Sequence, residues 1–94
     1  MNKEQLKAKT NQKIDEASAK INEFKAKSAS VKEDVQPKYE EGLKELENKK
    51  HELKNKLSQL ENESEEKWED AKTFISNTTD SLDKEFSRIS AFIS

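Results

Sequence analysis

Ninety-four residues with 40% charged and only 30% hydrophobic side chains cannot enclose a deep globular core, and they suit long helices that bury a thin seam. Cysteine is absent and there is one His, which excludes a disulfide framework, thiol chemistry and a soft metal site. The formal net charge of −2 hides a gradient: residues 1–38 carry nine Lys against six acids, residues 39–67 six Lys against nine Glu, and residues 68–94 three bases against five acids.

A positive segment beside a negative one favours their pairing. It argues against a nucleic-acid partner, whose binders concentrate uncompensated Lys and Arg. At the N-terminus Lys3, Lys7 and Lys9 precede no apolar run, so neither a signal peptide nor a membrane span is expected and the default compartment is the cytoplasm.

The first helix is expected over about 3–35. Leu6, Thr10, Ile14, Ala17, Ile21, Phe24, Ser28, Val31 and Val35 recur at steps of three and four, the spacing of one helical face. Pro37 cannot donate the amide a continuing helix needs and pushes Gln36 out of the helical region, so the chain breaks there. Pro suits the first turn of the next helix, and Glu40 and Glu41 behind it complement the helix dipole. Gly42 in those first turns costs about 1 kcal/mol relative to Ala and reads as a weakness tolerated near a helix end.

A second stripe follows through Leu43, Leu46, Lys50, Leu53, Leu57 and Leu60. Folding the chain at Pro37 pairs residues whose numbers sum to 74, such as Phe24 with the Lys50 stem and Ala17 with Leu57. The stripe runs on through Trp68, Ala71, Ile75, Thr79, Leu82, Phe86, Ile89 and Ile93, with an eleven-residue recurrence that suits nearly straight packing. The expected architecture is therefore all-α: an antiparallel helical hairpin, a coiled coil whose long second helix covers about 38–93 and overhangs by its C-terminal third. The polar run Ser76–Ser81 can place a kink or turn at 76–81. The alternative is a three-helix bundle with a turn at 62–64 and Ser64 as cap ahead of Glu65 and Glu66.

Little chemistry is written in the chain. His51-Glu52-Leu53-Lys54-Asn55 resembles the opening of a zinc-protease helix, but Asn55 stands where the second His is needed. Adjacent carboxylates such as Glu40/Glu41 diverge on a helix, and one Gly cannot build a phosphate loop. Asn62-Glu63-Ser64 and Asn77-Thr78-Thr79 fit the glycosylation pattern, a reaction that needs secretion. No catalytic, cofactor-binding or metal-binding residue is expected, and the chain reads as non-enzymatic.

The stretch Lys38-Tyr39-Glu40-Glu41, then Leu43, Leu46, Lys49-Lys50, Leu57, Leu60 and Glu65-Glu66-Lys67-Trp68, resembles small bacterial coiled-coil proteins described as stress-responsive, over roughly residues 38–72. The resemblance implies a stress-linked, non-enzymatic role and brings no catalytic residues. An overhang left in water would forgo about 1.5–3 kcal/mol for each large apolar side chain. Trp68, Ile75, Leu82, Phe86, Ile89 and Ile93 are therefore the expected partner-binding residues, with a homodimer as the expected assembly. The other reading is a helix lying on a membrane surface, against which the net acidity of residues 68–94 weighs.

Overall fold

Asn2 opens the first helix with a reciprocal cap: its side chain accepts from the Gln5 amide at 2.9 Å, and the Gln5 side chain accepts from the Asn2 amide at 3.2 Å. The computed structural model, which describes residues 2–93, contains three long helices: α1 Lys3–Ala26, α2 Gln36–Leu60 and α3 Glu65–Ala91. Two 3-10 turns, Ser28–Ser30 and Glu33–Val35, join α1 to α2. The described residues contain no strand, so the all-α class holds, in its three-helix form. The helices lie side by side in a rod of 49 × 18 × 18 Å.

Helix two does not run to residue 93. It stops at Leu60, and residues 61–64 turn the chain so that α3 folds back. The cause is the apolar stripe itself. A straight continuation would leave Trp68, Ile75, Leu82 and Ile89 in water, whereas here they are at most 4% exposed. Burying four such side chains outweighs closing a loop of a few residues. Ser64 is the N-cap residue with extended backbone, and Glu65 and Glu66 occupy the first turn, where the dipole favours them.

The run 76–81, expected to carry a kink or turn, stays helical. The Thr78 hydroxyl donates to the Phe74 carbonyl and the Thr79 hydroxyl to the Ser76 carbonyl, both at 2.9 Å. The polar side chains thus bond back within the helix instead of ending it. Thr78, not Thr79, lies in the core, so α3 keeps a heptad frame through residues 68, 71, 75, 78, 82 and 89.

Helix one is also shorter than its stripe, ending at Ala26. Ser28 and Ser30 break the helical run, and the connection is held by the Gln36 side chain, whose Nε2 donates to the carbonyls of Ser28 at 2.7 Å and Val31 at 3.1 Å. Val31 is buried beneath it. Pro37 does sit in the first turn of α2, but the hairpin turns at 27–35, ahead of it.

The pairing register shifts accordingly. Phe24 meets Tyr39, with ring centroids 6.5 Å apart, edge to face, and the Tyr39 hydroxyl donates to the Phe24 carbonyl at 2.5 Å. Seven residues, about two turns, back along α1 and forward along α2 lead to Ala17 and Leu46, both fully buried, and then to Thr10 and Leu53. Cysteines at Ala17 and Leu46 are therefore expected to form a disulfide under mild oxidation, since their Cα atoms should fall within the about 7 Å that bond requires. Ala17 with Leu57, about 16 Å farther along α2, should not; the reverse result would restore the pairing centred on Pro37.

Gly42 is not a tolerated weakness. A Cβ there would run into the Ile89 side chain, with the Cδ1 atom foremost, and would lie 3.8 Å from Glu85 Oε2. Here α2 and α3 approach so closely that only a hydrogen fits.

Candidate functional site

The six α3 side chains expected to bind a partner are placed inside the chain. Trp68, Ile75, Leu82 and Ile89 belong to the core, while Phe86 and Ile93 pack against it partly buried. What covers them is α1 and α2, so the ground for pairing overhangs is gone. Phe86 reaches across to α1, its ring centroid 6.4 Å from that of Phe24.

Among the described residues, two buried side-chain atoms lack a hydrogen-bond partner: Trp68 Nε1 and Glu85 Oε2. Trp68 is 1% exposed, so its N–H bears the cost of desolvation. Glu85 is better served, because its other oxygen accepts from Arg88 at 3.2 Å. Sequence periodicity placed Trp68 on the apolar stripe but carried no sign of the orphaned N–H, which depends on what faces the ring.

The three seams of the bundle are unequal. That between α2 and α3 is closed by the Gly42/Ile89 contact, and that between α1 and α2 by the Phe24/Tyr39 pair. The seam between α1 and α3 is grooved. A cleft of about 410 Å³ is lined by Leu6, Lys9, Thr10, Lys13, Lys72, Ile75 and Thr79 among others. A second of about 300 Å³ continues it beside Ala19, Lys20, Glu23 and Phe86. Lys13 spans the seam, 3.2 Å from Asp83 and 3.5 Å from Glu16.

Electrostatics follow these contacts. Desolvation works to lower the Lys13 ammonium, but the hydrogen bond and charge of Asp83, helped by Glu16, outweigh it and raise the pKa. The bond from Lys25, at 2.6 Å, holds the Glu47 carboxyl below its usual value. Lys27 and Lys20 do the same for Glu23. Burial pushes the Tyr39 phenol up, with the Glu23 charge adding to it. These are exposed ion pairs and one buried phenol bonded to a carbonyl; Lys13 and Glu16 line the first cleft, and Lys20 and Glu23 the second.

Neither a known protein family, nor a curated protein, nor a solved structure matches this chain. Its function must be read from its own surface. Among the described residues no group of His, Asp and Glu is arranged to hold a metal ion, and no helix is long and apolar enough to cross a membrane. His51 is exposed. The surface feature that periodicity did not single out is Phe74, on the outer side of α3 and 40% exposed. The Lys56 ammonium caps its ring, 4.9 Å from the centroid. Its exposure was decided only when α3 folded back.

Proposed function

We propose that the chain is a non-enzymatic interaction protein that works as a folded rod and recognises a partner through the outer face of α3. The observation that carries this reading is the division of the molecule: α3 spends its apolar stripe on the core and exposes six acidic and four basic residues along with Phe74. Such a face suits a partner with basic side chains and an apolar seat for one ring. The resemblance of residues 38–72 to stress-responsive coiled-coil chains supports a bacterial, stress-linked setting for this role.

A second copy is one such partner, because α1 carries six Lys against four acids and could lie on a neighbour's α3. A photo-crosslinking amino acid at Phe74 tests both. A discrete adduct from that position, weakened by salt as exposed charge pairs require and absent when the same group is placed at the exposed Lys44 of α2, is the expected result. An adduct of twice the chain's mass identifies self-association. Equal labelling from both positions, or none from Phe74, overturns the proposal.

A further inference from the structure

The grooved seam, the orphaned indole and the distribution of lysines lead to a second activity, independent of the acidic face of α3. We infer that the bundle opens between α1 and α3 on an anionic lipid surface and lays its apolar stripes against it.

The first support is mechanical. The α1/α3 seam is flanked by clefts; it is held by the tilted Phe24/Phe86 ring contact at its closed end and, among the described residues, by the ion pair of Lys13 with Asp83, whose side chains are 35% and 53% exposed. Exposed pairs of this kind hold little. The other two seams are held by close packing at Gly42 and by the Tyr39 bond to the Phe24 carbonyl. Parting α1 from α3 leaves both hairpins joined and turns the three helices into one layer with its apolar face open.

The second support is chemical. Helices α2 and α3, of 25 and 27 residues, are polar overall but amphipathic, the make-up of segments that lie in a lipid interface. Half-buried lysines flank the stripes on α1 and α2: Lys3, Lys7, Lys13, Lys49, Lys50 and Lys56. Their stems cover apolar surface; in the closed bundle the ammonium groups of Lys13, Lys49 and Lys56 lie on Asp83, Glu52 and the Phe74 ring, and at an anionic surface such side chains extend to the headgroups instead. The basic residues of α3 are all exposed, so the acidity of the C-terminal segment, which weighs against a lipid reading of α3 alone, does not apply to the other two helices.

The third support is Trp68. Its ring is buried and its N–H has no partner in the closed bundle. An interfacial position offers the ring apolar contact and the N–H a polar acceptor. Opening therefore satisfies a group that closure leaves unsatisfied.

The test exploits the absence of native cysteine. Lys13→Cys and Asp83→Cys are joined across the seam by a short bis-methanethiosulfonate linker that reductant releases. The unlinked full-length chain should float with phosphatidylglycerol vesicles and not with phosphatidylcholine vesicles, and brominated lipid should quench its Trp68 emission. The linked chain should lose both signals and regain them on reduction. Three results would overturn the inference: no binding by the unlinked chain, binding that the linker leaves intact, or bound chain whose Trp68 is not quenched.

Discussion

Trp68→Ala is expected to remove about 3–5 kcal/mol of stability, the usual cost of emptying a buried Trp site. For a domain of this size, whose total is about 5–15 kcal/mol, that is about a fifth or more of what holds it folded. Each kcal/mol lowers the melting temperature by about 4–8 °C at this length, so the loss is easily read by thermal circular dichroism. Trp68→Phe should cost far less than the Ala variant, because it keeps a ring in the site and discards the unpartnered N–H, whose burial is itself unfavourable. The midpoints should not move with protein concentration, since cover for Trp68 comes from α1 and α2 of the same chain. A melting temperature that rises with concentration would instead mean that a second copy supplies part of the cover.

The helical class, the thin seam and most core positions were legible because one periodicity served every helix: Leu6, Ile14, Ala17, Leu46, Leu53, Ile75 and Leu82 are buried where steps of three and four put them. The connections were not. Pro37 is the strongest single break in the chain, and it drew the turn to itself, but a Pro in the first turn of a helix marks where that helix starts and not where the previous one ends. Ser28, Ser30 and the Gln36 side chain decide that end.

At 61–64 the local signals were balanced. Ser64 ahead of two Glu argued for a cap, while the stripe running on from Leu60 to Trp68 argued for a continuing helix. Local chemistry could not choose; the outcome turned on whether α3 finds more apolar cover by folding back than by reaching out. That is a property of the whole chain. The candidate surface was less legible still, since Phe74 and Phe86 become outer and inner side chains only once α3 has a direction.

The position where sequence and structure give opposite signs is Gly42. Helix propensity alone predicts that Gly42→Ala stabilises α2 by about 1 kcal/mol. The packing predicts the reverse, because the new methyl group would enter space held by Ile89, and forcing extra volume into a filled contact costs about 1–3 kcal/mol. A clash with backbone could not be relieved cheaply, but the obstacle here is the end of an α3 side chain, fully buried and set against α2. Removing that end should therefore rescue the variant. Ile89→Val deletes the Cδ1 atom and alone should cost about 0.5–1.5 kcal/mol; combined with Gly42→Ala it should cost less than alone, or restore stability outright. Urea unfolding of the parent, both single variants and the double variant closes the cycle. If Gly42→Ala proves more stable than the parent and the two changes simply add, α2 and α3 are not in close contact at this point, and the glycine is the weak helical residue that its sequence position first suggests.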